Sequence, residues 1–485
     1  MPSVKRDGEL AIVLHTHMPY VEGGGAWPHP QNPPNGPNWE GFGTWPFGEE
    51  WLWEAIATSY LPLLDVLAGP GGEHVTLSIT PVLADQLEAD GTLERCVAFL
   101  DTIRPESHRL DIEELRAAGQ DALAPELERS AAEYAARARR LQELAASGGV
   151  LAAMAPYTSW TSSATHAILP LLATDAGALL QVQTGIASHR RRFGSWHGGF
   201  WLPECAHAPW LDELLEDCGV RTTCVELTGA FGLGDDRHLR PLVGTDGPVL
   251  WPLDRATIAL VWGSDGYPSR AAYRDSYRYT THRHHVWAND GGAYDHGAAL
   301  AQARADAAEF VTRVRERVSG GGVCVCALDT ELLGHWWYEG VAWLGAVLEE
   351  AARQGLALTR LDDALARHEP VPAPARLPVS SWGDGGDLRT WSGPQVADLA
   401  WSARTVELRL AAMTGRPPER ALRELLALQS SDWAFLHTHA TAGDYPLQRA
   451  DGHRRALERA IAGDPQLAPA DPALRGLAPD LTGWS

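Results

Sequence analysis

The chain has 485 residues, 45% of them apolar and 21% charged, which is the composition of an ordinary globular protein of two or three packed units. Its formal charge of −22, from 62 acidic against 40 basic residues, speaks against a nucleic-acid or anionic-membrane partner, because phosphate affinity needs clustered Lys and Arg. No apolar run approaches the roughly 18 residues of a membrane span, and the start of the chain lacks a signal-peptide pattern. The six cysteines are too scattered for a disulfide scaffold, so a reducing cytoplasm is expected.

In chain order, short apolar or β-branched runs recur between longer helical stretches: Leu10 to Leu14, Val75 to Ile79, Gly199 to Pro203, Thr222 to Glu226, Ile258 to Trp262 and Val323 to Asp329. This alternation predicts a parallel α/β barrel or open sheet. Polar residues stand at the C-terminal ends of several runs, as His15 and His17, Glu204, Glu226 and Asp329 do, and α/β barrels build their active sites at that end. The segment Gly23 to Trp45 is too rich in Gly, Pro and Asn for regular structure and reads as a long loop. Between about residues 105 and 150 the chain turns helical, with Leu127, Ala131, Tyr134, Ala138, Leu141 and Leu144 returning at helical spacing. The Pro-rich stretch His368 to Ser380 reads as a linker near residue 370, and a helical unit follows to the end of the chain.

Cleaving or transferring a glycosidic bond takes two carboxyl groups, about 5 Å apart if configuration is retained. Glu204, in GGFWLPECAHAPWL, and Asp329, in GGVCVCALDTELLGHWWYEG, are strand-end acids in aromatic surroundings and are the candidate pair. Twenty tryptophans supply flat faces that suit sugar rings, although a core role accounts for many of them. His15 and His17 lie two apart on a strand and share a face, which serves either a metal or sugar hydroxyls; no third ligand stands in evident register. Cys324 and Cys326 read as small core hydrophobes, and His282, His284 and His285 as part of a solvated loop rather than a metal tract.

The segments HTHMPY, WLPECA and LDTELLGHWWYEG resemble the signatures of glycoside hydrolase family 57, in its glucan branching enzyme branch. The stretches Trp45 to Leu64, Ile79 to Leu87, Ser162 to Leu172, Ser380 to Trp391 and Leu428 to Leu436 are similar to the family in the same order. The resemblance implies an incomplete (β/α)7 barrel with a helical insertion and a helical C-terminal domain that helps close the groove. It also implies a retaining mechanism without metal or other cofactor, acting on an α-1,4-glucan, with Glu204 as nucleophile and Asp329 as general acid and base. His15, His17, Trp45, His166, Trp262, Trp337, Trp391, Trp401 and Asp432 are then the expected substrate-binding residues, with Trp433 a further stacking candidate. The stretch Leu227 to Asp254 departs from the family pattern, since family members often carry a longer loop with a tyrosine at its tip there and this one has no tyrosine. An α-amylase-like hydrolase with the same carboxylates and a catalytically inactive glucan-binding protein are the alternatives. A deacetylase on a similar barrel would need an Asp-His-His metal set, which the H-x-H near the amino terminus alone does not supply.

Overall fold

The computed structural model describes residues 8–21, 48–465, 467 and 484. Trp45 and the expected loop from Gly23 lie outside these. Among the described residues ten strands follow in order: β1 (Glu9–Thr16), β2 (Thr76–Ile79), β3 (Thr158–Ser162), β4 (Phe200–Trp201), β5 (Thr222–Val225), β6 (Leu242–Val243), β7 (Val249–Pro252), β8 (Val323–Asp329), β9 (Ala357–Leu358) and β10 (Val371–Pro372). One sheet has the path β4-β3-β2-β1-β8, with every pairing parallel, and β5 pairs parallel with β7 in a second. Two slender joints connect them. A parallel bridge links Gly199 to Thr222, and the Asp254 N–H donates to the Val325 carbonyl at 3.0 Å. The strands β1, β2, β3, β4, β5, β7 and β8 thus succeed one another around an incomplete barrel whose hydrogen-bond ladder thins at those joints.

Parallel barrel strands are packed on both faces, by helices outside and by the barrel interior inside, which is why β1 and β8 are buried at nearly every position rather than at alternate ones. Their register pairs His15 with Asp329, and β1 pairs His15 with Ser78 on its other side, so the chemically capable ends lie level at one mouth. Cys324 and Cys326 fill the β8 core, and none of the six cysteines is in a disulfide.

One expected strand is a helix. Ile258 to Trp262 lies in Arg255–Trp262, whose start is capped by Asp254, with the carboxylate accepting from Thr257 N–H at 2.9 Å. A short apolar run does not distinguish buried helix from strand, and the Asp cap decided this one. The true strand, β7, sits just before it.

The insertion is helical as expected, in Arg104–Ala117, Ala124–Ala145 and Gly149–Met154. Leu127, Ala138 and Leu141 are buried there, with Tyr134 and Leu144 packed partly against the barrel core. The solvated loop expected around His282 to His285 is instead docked on this insertion. His284 is buried, 2.9 Å from Ser107 Oγ and with its ring centroid 3.7 Å from that of His108, while His282 Nδ1 lies 2.6 Å from Asp111. Polar composition misled here because long-range hydrogen bonds satisfy the ring nitrogens.

After the Pro-rich stretch come the helices Ala397–Ala411, Glu419–Leu428, Ser431–Thr438 and Tyr445–Ile461. Leu422, Leu425, Leu426 and Leu457 build an apolar core that also takes in Ala164 and Leu180 from the barrel. Buried Glu407 stitches the two together. Its carboxylate accepts from the Ala173 and Thr174 N–H groups at 3.1 and 2.8 Å, from the Thr174 hydroxyl at 2.7 Å and from the Gln429 amide at 3.0 Å. This junction carries Asp432 to the barrel mouth.

Candidate active site

Strand β4 ends at Trp201, and the chain then turns through Leu202 and Pro203 so that Glu204 and Cys205 both take positive φ, 58° and 50°. Neither is glycine, and left-handed backbone costs an L-residue about 1–2 kcal/mol. The turn is held by Cys205 N–H to Leu202 O at 2.8 Å and Ala206 N–H to Pro203 O at 2.9 Å, and by Trp382, whose N–H donates to Glu204 O at 2.9 Å. The indole Nε1–H of Trp382 then donates to Glu204 Oε2 at 2.6 Å. Burial, and next the charge of Asp329, push the Glu204 carboxyl up to about 8; the Trp382 hydrogen bond opposes them by favouring the ionised form.

Across the mouth, β8 delivers Asp329. Its carboxyl faces the groove while protein crowds it elsewhere, and desolvation followed by the charge of Glu331 raises it to about 7. Glu331 is itself buried, raised to about 8 by desolvation, and its Oε1 accepts from Tyr60 O–H at 2.6 Å and His17 N–H at 3.2 Å. Three carboxyl groups raised by burial in one cleft mark it as a candidate for acid–base chemistry.

His17 follows β1, with Nδ1 3.0 Å from Thr80 Oγ1 and Nε2 3.0 Å from Asp432 Oδ1. His166, at φ 60°, places Nδ1 2.8 Å from Ser431 Oγ, and its buried Nε2 has no hydrogen-bond partner among the described residues. The His17 and His166 rings stack with centroids 4.0 Å apart and planes 15° apart, and His15 stacks behind on His166 and Trp201 at 5.0 and 4.8 Å. Burial lowers the His15 and His166 pKa values well below the usual imidazole range, and the neighbouring imidazoles lower them further, so both are neutral. The fold therefore supplies the third ligand that sequence spacing did not reveal: His17, His166 and Asp432 offer atoms within 4.8 Å of one another. Nearly parallel stacked rings point their lone pairs side by side rather than at a common centre, a geometry better suited to neighbouring sugar hydroxyls than to a tetrahedral ion. A second such group, Asp111, Glu114 and His282, lies where the docked loop meets the insertion helix Arg104–Ala117, and there both Asp111 oxygens already accept from Thr280 or His282.

These residues line one cavity of about 1350 Å³. Glu204, Asp329, Glu331, His17, His166, Asp432 and Trp262 face it. The other expected residues do not all join them. His15 supports the histidine stack from behind; Trp337, 2% exposed, packs on Tyr273 and Trp343 while its neighbour Trp336 faces the cavity; Trp391 and Trp433 are core; and Trp401 is exposed away from it. Sequence reading passed over Trp382, Glu331 and Tyr60. All three stand within the quoted family-like segments, so proximity to the motifs was the available signal, although only the fold brings Tyr60 to Glu331.

Together these features make the mouth of a barrel at which buried carboxyl groups, imidazoles and aromatic side chains meet in one cavity. Comparison with known proteins is specific. Residues 158–374 match the model of glycosyl hydrolase family 57, and residues 403–463 match that of the 1,4-alpha-glucan branching enzyme C-terminal region. A Mycobacterium tuberculosis protein named "Probable 1,4-alpha-glucan branching enzyme" is 32% identical over 94% of this chain and 92% of its own length. The 1,4-alpha-glucan branching enzyme of Thermococcus kodakarensis is 28% identical over 93% of this chain and 73% of its own. The crystal structure of the branching enzyme of this family type from Pyrococcus horikoshii superposes with a TM-score of 0.81 at 27% identity, covering 98% of this chain and 94% of that one. The chain belongs to glycosyl hydrolase family 57.

Proposed function

We propose that the protein is a 1,4-α-glucan branching enzyme, which cleaves an α-1,4 bond and rejoins the released chain through an α-1,6 bond by a retaining double displacement. In this reading Glu204 is the nucleophile and Asp329 the general acid and then the base. The observation that supports it most is geometric: Glu204 after β4 and Asp329 at the end of β8 face one cavity, with the Trp382 Nε1–H donating to Glu204 Oε2 at 2.6 Å.

Asp329 gives its proton to the departing glucosyl oxygen as Glu204 attacks the anomeric carbon, forming a glycosyl ester. Asp329, now ionised, takes a proton from the 6-hydroxyl of a second chain, and that oxygen displaces Glu204. His17, His166 and Asp432 hold hydroxyls of the bound sugar, and no cofactor takes part. A neutral glucan suits a chain of net charge −22 better than an anionic partner does. Residues 1–370 are the catalytic barrel with its insertion, residues 371–485 the helical domain that completes the groove, and the enzyme works in the cytoplasm; no described helix is long and apolar enough to cross a membrane.

An α-amylase-like hydrolase is the second reading, favoured by the stretch from Leu227 to Asp254, which has no tyrosine to cover the cleft. The test is incubation with amylose while reducing ends are followed before and after a debranching enzyme is added. Branching predicts new ends only after debranching, and ends that appear directly would establish the hydrolase. Glu204→Gln is expected to lose nearly all turnover and keep glucan affinity; retained turnover would refute the assignment.

A further inference from the structure

Exposed large aromatic side chains scattered singly are ordinary, whereas several gathered at one cavity mark a surface that a ligand covers. Four stand at the rim of the same cavity: Trp262, 56% exposed; Trp336, 51%; Tyr279, 50%; and Tyr277, 93%. Trp262 was expected from the sequence. Trp336 and Tyr277 were not, and the structure ties them to each other. Ser276 Oγ donates to the Trp336 carbonyl at 2.5 Å, so the segment bearing Tyr277 is fastened to the turn bearing Trp336.

That turn descends from Asp329. The Trp336 N–H donates to the Glu331 carbonyl at 3.1 Å, within a turn whose Leu333 N–H donates to Thr330 O at 2.9 Å, so Trp336 is fixed on the Asp329 side of the cleft. The Tyr277 segment is equally well held. Asp275 Oδ1 accepts from the Tyr277 and Arg278 N–H groups at 2.8 and 3.1 Å, and Thr280 donates to Asp111 on the insertion. A bare tyrosine side chain on a fastened backbone loses little freedom when a ligand covers it.

We propose that Trp336 and Tyr277 form the stacking site for the acceptor glucan, the chain whose hydroxyl displaces Glu204, and that this site sets how often the glycosyl-enzyme is captured by sugar rather than by water. The inference rests on the branching reading above. Whatever attacks the glycosyl ester must lie on the side of the group that takes its proton, because departure and attack use the same face. The new bond joins the acceptor oxygen to the anomeric carbon, the bond to Glu204 Oε breaks with its electron pair, and the hydroxyl proton passes to Asp329. A water molecule needs no platform to reach that position, whereas a glucosyl unit does. The cavity of about 1350 Å³ also exceeds the roughly 300–1,000 Å³ of a typical single-ligand pocket, in keeping with two chains present together.

The test compares wild-type protein with Tyr277→Ala, Trp336→Ala, Tyr277→Phe and Trp336→Phe. Branch formation and direct reducing-end release from amylose are measured together, and transfer rate is followed against added maltotetraose as acceptor. The alanine variants are expected to lower the ratio of transfer to hydrolysis by about five- to tenfold and to raise the acceptor KM by a similar factor, the loss of one aromatic contact each, with the phenylalanine variants close to wild type. Tyr277 is 93% exposed, so its removal does not endanger folding. An unchanged ratio and acceptor KM in Tyr277→Ala, with wild-type protein branching normally, would overturn the inference alone. Wild-type protein that makes no branches would overturn the functional reading and the inference with it.

Discussion

Replacing Trp382 by Phe removes one hydrogen-bond donor from Glu204 and little else. The ring still meets Trp201, which it contacts edge-on with centroids 5.1 Å apart, and the backbone N–H still donates to Glu204 O. What disappears is the Nε1–H donated to Oε2 at 2.6 Å. A hydrogen bond to a charged group contributes about 1.5–3 kcal/mol. Since one pKa unit corresponds to about 1.4 kcal/mol, the Glu204 carboxyl should rise by about one to two units. The sign follows from the form stabilised: the indole favours the anion, so its loss favours the acid and depletes the nucleophile. The pH profile of kcat/KM on amylose should therefore show its acid limb moved to higher pH by about one to two units, with activity near neutrality about ten- to a hundredfold lower. The two carboxyl groups titrate as a coupled pair, so the limb reports the pair rather than Glu204 alone. A profile that keeps its acid limb, with kcat/KM within about twofold of wild type, would refute the role given to Trp382.

Glu331→Gln keeps an oxygen where Oε1 accepts from Tyr60 and His17 but removes the charge beside Asp329, so the basic limb of the same profile should move to lower pH; an unmoved limb would show that Glu331 does not hold the Asp329 proton. Glu204, Asp329 and Glu331 all bind protons more tightly folded than unfolded, so stability should fall as pH rises from about 4 to about 8, and Tm should fall less over that range in Glu331→Gln, by calorimetry. Glu407→Ala strands three donors of the Ala173–Thr174 turn and the Gln429 amide, so it should destabilise the protein by about 3 kcal/mol or more in denaturant unfolding. A cost under about 0.5 kcal/mol would show that the junction does not need it.

Both catalytic candidates were legible because their strands are. The apolar runs ending at Glu204 and Asp329 need only local pattern to be read, and the polar residue at the end of each is where a barrel places its chemistry. β3 was not legible, since TSWTS is polar and is buried through long-range pairing with β2 and β4. β7 was hidden by the more apolar helix that follows it. The same distinction runs through the site. His17 could be suspected from its place after a strand, but its partner Asp432 lies 415 residues away on a helix of another layer. Trp336 and Trp337 are adjacent, and only packing decides that the first faces the cavity and the second the core.

The most direct measurement of the central claim is to trap the glycosyl-enzyme with a fluorinated maltosyl fluoride, whose second step is slow, and to locate the adduct by peptide mass spectrometry. The account predicts one glycosyl ester, on the peptide containing Glu204, and none in Glu204→Gln. An adduct on the peptide carrying Asp329 and Glu331, or turnover without any covalent adduct, would contradict it.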